Sequence, residues 1–81
     1  MTPEKIKSEL QIIFRNTLNI PDLEITEELS ADHIPAWDSL THLILISDVE
    51  SFFDVKFRLK ELISMRNVGD MIALIVAKKN I

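Results

Sequence analysis

Asp38, Ser39 and His42 stand together in the chain as a potentially reactive group. A serine hydroxyl, a carboxylate beside it and an imidazole three positions on are the groups of a serine nucleophile with its base. Positions three apart are neighbours on a helix surface, so Ser39 and His42 can share one face. The set still lacks an oxyanion hole and a base oriented by a group from another part of a larger fold. There is no glycine-rich elbow, and the only glycine is the distant Gly69. Two further readings are open from the residues alone. Ser39 is a helix-start serine with no other role, the common fate of a serine after an aspartate, or it is a point of attachment modified by another protein. A helix N-terminus suits the attachment of a phosphate, because free backbone N–H groups and the positive end of the helix dipole face it.

The elements that must position these residues follow from periodicity. Thr2 is an N-cap candidate for a first helix, Pro3 fits its first position and Glu4 suits the dipole. Ile6, Leu10, Ile13, Phe14 and Leu18 recur at helical spacing, and Asn19 through Pro21 ends the run. From Pro21 to Asp38 the periodicity is lost. That stretch is longer than most connections in a compact domain and needs anchors, for which Leu23, Ile25, Leu29, Ile34 and Trp37 are placed. Pro35 disfavours helix in the residue before it, so the next helix begins after it.

Asp38 is the N-cap candidate for a central helix over Leu40 to Phe53. Its first half, through Leu43-Ile44-Leu45-Ile46, is apolar nearly all round, which places it at the centre of the fold with one surplus apolar residue facing out. A short segment between Phe57 and Met65 is expected to pack through Leu59 and Leu62 or Ile63. The last helix is capped by Asn67, with Asp70 at its third position. Val68, Met71, Ile72, Ile75 and Val76 line its apolar face, and Lys78 and Lys79 lie at its C-terminal end, where cations are favoured. The expected architecture is all-α: a small four-helix bundle, three helices longer and the third short, with a long loop between the first two, in one domain over residues 1–81.

Composition removes several functions. With no cysteine there is no disulfide framework, thiolate metal site or thiol nucleophile, and two lone histidines, His33 and His42, do not make a zinc site. No apolar signal core or membrane-length run is present, so a soluble, cytoplasmic protein without membrane insertion is expected. The net charge of -4 conceals a sharper pattern: no lysine or arginine lies between Arg15 and Lys56, while Asp22, Glu24, Glu27, Glu28, Asp32, Asp38, Asp48, Glu50 and Asp54 do. Such a block repels nucleic-acid backbones; it suits basic protein partners, or equally is a solvated acidic surface that keeps the domain soluble.

Asp38-Ser39-Leu40, preceded by an acidic loop and followed by Leu43, Leu45, Val49, Glu50 and Phe53, resembles the acyl carrier protein family. The likeness continues through Phe57 and Met65 to Asn67-Val68-Gly69-Asp70, similar to the family's Thr-Val-x-Asp start of the last helix. It covers essentially the whole chain. The resemblance implies that Ser39 carries 4'-phosphopantetheine, whose thiol holds acyl or polyketide-type intermediates as thioesters for partner biosynthetic enzymes. It further implies that Asp38 helps hold Mg2+ during attachment by a phosphopantetheinyl transferase, that Leu40 packs inward to fix the helix start, and that the protein is not itself an enzyme. No catalytic residue and no resident metal are expected, and a monomer is. The alternative within the same class is an aminoacyl or peptidyl carrier, and a rival of another class is a carrier-like interaction module without cargo.

Leu45, Ile46, Val49, Phe53, Ile63, Met65 and Ile72 are the candidates for lining an acyl pocket, with plain core packing as the competing role for each. Met65 stands out because its flexible side chain can repack. The outer face of the central helix, Thr41, Leu43, Ile44, Ser47, Asp48 and Ser51, is the expected partner surface. Ile44 stands where the family commonly has Glu, and Arg58, Lys60 and Arg66 make the third segment basic. With Trp37 ahead of the motif, these departures look more like free-standing carriers of specialised pathways than bulk fatty-acid carriers. His33 and His42 are expected to be solvated and without a role.

Overall fold

A computed structural model describes residues 2–79. Four α-helices follow in order, α1 Pro3–Leu18, α2 Ser39–Phe53, α3 Leu59–Ser64 and α4 Val68–Lys79, with a 3-10 turn at Ala31–His33 inside the loop between α1 and α2. The caps expected from the sequence are formed. The Thr2 hydroxyl accepts from the Lys5 N–H, Asn67 Oδ1 accepts from the Asp70 N–H at 2.8 Å, and α1 ends at Asn19 in the left-handed conformation with φ 58°. Asn tolerates that region better than most residues.

The core forms where the apolar stripes converge. Ile6, Leu10, Phe14 and Leu18 of α1 meet Leu45, Ile46, Val49 and Phe53 of α2 and Val68, Met71, Ile72 and Ile75 of α4. Each such side chain contributes about 1.5–3 kcal/mol by leaving water. No polar side chain is buried among the described residues.

The long loop is stitched to the helices rather than left loose. Ile25, Ile34 and Trp37 are buried, and Leu23 and Leu29 are half-buried against the core. Four polar contacts do the rest. Arg15 Nε donates to the Leu23 carbonyl at 2.6 Å, and Gln11 Oε1 accepts from the Ile25 N–H at 3.0 Å. The N–H groups of Val68 and Gly69 donate to the carbonyls of Leu29 and Glu27 at 2.9 and 2.8 Å. Those two donors belong to the open first turn of α4, which the loop therefore caps.

Two packing expectations are corrected. Leu59 is exposed, and α3 meets the core through Leu62 alone of the candidates Leu59, Leu62 and Ile63. A six-residue helix has one turn and a half, too short to bury more than one face. On α2 the surplus is larger than one residue, because Leu40, Leu43, Ile44 and Phe52 are all exposed. The core meets only the side carrying Leu45, Ile46, Val49 and Phe53.

Candidate functional site

Ser39 is the first residue of α2 and is exposed. Its placement is set by Asp38, the N-cap, whose Oδ1 accepts from the Thr41 N–H at 2.8 Å while its carbonyl accepts from the His42 N–H, also at 2.8 Å. The Thr41 backbone N–H, followed by the Thr41 hydroxyl, holds the Asp38 carboxyl below the usual carboxylate range, so it is ionised at neutral pH. The serine hydroxyl has no hydrogen-bond partner among the described residues.

Trp37 and His42 flank the serine. Trp37 is 5% exposed and meets the Phe14 ring edge-on, centroids 5.1 Å apart and planes at 85°. Its Nε1–H donates to His42 Nδ1 at 3.0 Å. An indole N–H can only donate, so Nδ1 is an acceptor and the neutral ring carries its proton on Nε2. Burial of the half-buried imidazole pushes its pKa below the ordinary histidine value, which favours that neutral form. His42 thus has a role, contrary to the solvated ring expected from sequence. His33 has one as well: its Nδ1 accepts from the Ser30 N–H at 3.1 Å, closing the 3-10 turn.

This pairing also removes the triad. With Nδ1 occupied and Nε2 protonated, neither ring nitrogen is a free base for Ser39. The Asp38 Oδ1 that would orient the ring is bonded to Thr41. Ser39 is presented but not activated.

Ser39 opens onto a groove of about 520 Å³. Trp37 and His42 wall it from the side of α2, and Leu62, Met65 and Arg66 from the side of α3, with Asp32 and Asp38 also on its lining. Of the acyl-pocket candidates only Met65 lies here. Leu45, Ile46, Val49, Phe53 and Ile72 are closed into the core, and Ile63 is 74% exposed on α3. The correction for Ile63 follows from Leu62, which takes the inward position, so that the next residue, about 100° further round, faces out. Trp37, His42, Leu62 and Arg66 were not among the expected pocket residues. The signal that could have found the first two is the staple spacing, a residue just before the N-cap paired with one in the first turn.

Leu40 is corrected too. It is 69% exposed rather than packed inward. The buried Leu45 is five positions further on, and at about 100° per position that puts Leu40 on the far side of α2. It lies instead with Leu43 and Ile44, three and four positions on, in an exposed apolar face directly beside Ser39. Of the other expected partner residues, Ser47 and Ser51 are exposed and Thr41 is half-buried. Asp48 is exposed, but its Oδ2 accepts from the Thr17 hydroxyl at 2.6 Å, tying it to α1.

The same architecture is found in solved structures. The solution structure of the holo acyl carrier protein from Geobacter metallireducens is similar with a TM-score of 0.85 and 40% sequence identity, over 90% of this chain and 84% of that one. A candidate acyl carrier protein from Mycobacterium tuberculosis, at 21% identity, shares the fold with a TM-score of 0.80, over 89% of this chain and 96% of that one. No protein-family model and no curated protein sequence matches the chain. Identity of 40% over most of both chains to an acyl carrier protein points to a carrier, a protein acted upon by others and not an enzyme. The chain belongs to the acyl carrier protein family.

Proposed function

We propose that this protein carries acyl or polyketide-type intermediates on a 4'-phosphopantetheine arm attached to Ser39 and presents them to partner enzymes of a specialised biosynthetic pathway. The observation that carries the reading is the exposed, unpartnered Ser39 hydroxyl at the first position of α2, at the mouth of the groove. The residues present fit such an arm. The open end of α2 favours a phosphate, Arg66 supplies a cation to the groove, and Leu62 and Met65 give it an apolar wall. When attached, the arm supplies a thiol on which an acyl group is held as a thioester.

Asp38, exposed and ionised beside the serine, is suited to share the Mg2+ that a phosphopantetheinyl transferase uses. The apolar face of Leu40, Leu43 and Ile44, with Ser47 and Ser51 beyond it, forms the surface offered to partners. Together with the basic Arg58, Lys60 and Arg66 it supports a specialised pathway, since it replaces the acids that bulk fatty-acid carriers present there. Met65, already in the groove, is the residue best placed to contact cargo. Leu45, Ile46, Val49, Phe53 and Ile72 lie behind it and would reach an acyl chain only if the helices part. A monomer working in the cytoplasm fits this role, and no described helix is long and apolar enough to cross a membrane.

The test is an intact-protein mass after incubation with coenzyme A, Mg2+ and a promiscuous transferase, beside a control carrier. A gain of one phosphopantetheine that is absent in Ser39→Ala is the expected result. No gain in folded protein, with the control modified, would overturn the reading in favour of an interaction module without cargo.

A further inference from the structure

We propose that Trp37 and His42 are positioning residues for arm attachment, clamping the chain on both sides of Ser39 through the bond from the indole N–H to His42 Nδ1. The proposal rests on Ser39 being the attachment site.

The two residues occupy the positions of a helix staple. Counting from the N-cap Asp38, Trp37 is the residue outside and His42 the fourth inside, the pair whose contact sets the angle at which a chain joins its helix. The usual staple is an apolar contact, which tolerates rotation of both side chains. Here it is a directional bond of 3.0 Å. The rings lie within 24° of parallel with centroids 6.0 Å apart, so with the nitrogens at 3.0 Å the contact runs edge to edge, along the bond.

Ser39 sits inside this closure. Three bonds span it: indole to imidazole, Asp38 Oδ1 to the Thr41 N–H, and the Asp38 carbonyl to the His42 N–H. The indole also packs at right angles against Phe14 of α1, centroids 5.1 Å apart, so the clamp refers the serine to the core rather than to the loop. Both rings also wall the groove at the serine, and the bond between them holds that wall in shape.

In the attachment step, Ser39 Oγ bonds to the pantetheine-side phosphorus of coenzyme A. The pyrophosphate P–O bond breaks, adenosine 3',5'-bisphosphate leaves, and the hydroxyl proton passes to a base of the transferase. The incoming and leaving oxygens must be in line, and small errors of placement are costly in rate. A serine without its own base depends wholly on placement.

The experiment follows arm attachment to the full chain by intact mass, at varied carrier concentration, for wild type, Trp37→Phe, His42→Leu, His42→Asn and Trp37→Phe/His42→Leu. Trp37 is the only tryptophan, so its indole N–H proton resonance reports the bond directly. Trp37→Phe keeps an aromatic ring beside Phe14 while removing the donor and part of the ring volume, so its rate is read beside its urea midpoint and stays informative should His42→Leu loosen the helix. His42→Asn offers Oδ1 as acceptor in place of Nδ1.

Loss of about tenfold in kcat/KM is expected for Trp37→Phe and for His42→Leu, with the double variant no slower than the slower single one. His42→Asn is expected within about threefold of wild type, with the indole resonance retained. Equal rates for His42→Leu and wild type, or His42→Asn as slow as His42→Leu, would overturn the clamp while leaving Ser39 as the attachment site. Wild-type protein that takes no arm, or an arm still present in Ser39→Ala, would overturn the carrier reading and the clamp with it.

Discussion

The Gly69 N–H donates to the Glu27 carbonyl at 2.8 Å, fastening the long loop to the first turn of α4. A Cβ built on Gly69 would stand 3.2 Å from that carbonyl oxygen and 3.3 Å from Asn67 Oδ1, the α4 cap. A larger side chain has to displace both contacts. Gly69→Val is expected to cost about 1–3 kcal/mol, measured as a lower urea midpoint with an unchanged slope.

Leucines on the two sides of α2 should respond oppositely to truncation. Leu45 is wholly buried, and Leu45→Ala should destabilise by about 2–5 kcal/mol through lost burial and a residual cavity. Leu40→Ala should stay within about 0.5 kcal/mol of wild type, because the side chain stands in water. Denaturant unfolding of the pair checks this. A large loss for Leu40→Ala would mean that it packs at the helix start after all.

Asp38 caps α2 and is proposed to share the Mg2+ of arm attachment, two roles that substitution can separate. Asparagine caps a helix as well as aspartate does, whereas alanine does not. Asp38→Asn should therefore unfold near the wild-type temperature yet take up the arm more slowly, having lost its charge beside the metal. Asp38→Ala should fail in both respects. Thermal unfolding and attachment rates on the same samples separate the two.

Stability should fall with acid in two stages. His42 has a lowered pKa through burial, so below about pH 6.5 the unfolded chain takes up a proton that the native chain resists, and stability declines as pH falls until the native ring also protonates. Asp38 and Glu61 are lowered as well. For Asp38 the main cause is the Thr41 N–H, and for Glu61 it is the Arg58 N–H, followed by Lys78. Their contribution is complete above the ordinary carboxylate range and disappears as pH falls through their native values. Urea midpoints between pH 8 and pH 3 should show both stages, and His42→Asn should remove only the upper one.

Much of the bundle was legible in the chain because it is written in local rules. Thr2, Asp38 and Asn67 cap their helices through bonds to residues three positions on, and the α1 stripe repeats at the helical period. Ser39 at the head of α2 follows from the same logic. The departures from expectation lie where local pattern was silent. α2 is apolar on nearly every side, so its sequence gives no phase, and only the position of α1 and α4 settled that Leu45 and Val49 turn inward and Leu40 outward. In the six-residue α3, one turn cannot distinguish Leu62 from Leu59 or Ile63 until a neighbour covers one of them.

Local rules alone settle four helices, their caps and a serine set where a helix dipole opens, because each depends on residues within a turn of one another, whereas the loop is held by bonds to Gln11, Arg15, Val68 and Gly69, distant in the chain. The surroundings of that serine come instead from the assembled fold. Phe14 seats Trp37, Trp37 turns His42 into an acceptor, and Met65 and Arg66 arrive from beyond α3 to complete the groove. Those contacts join residues far apart in the chain, and it is the closing of the apolar core that selects which of them meet.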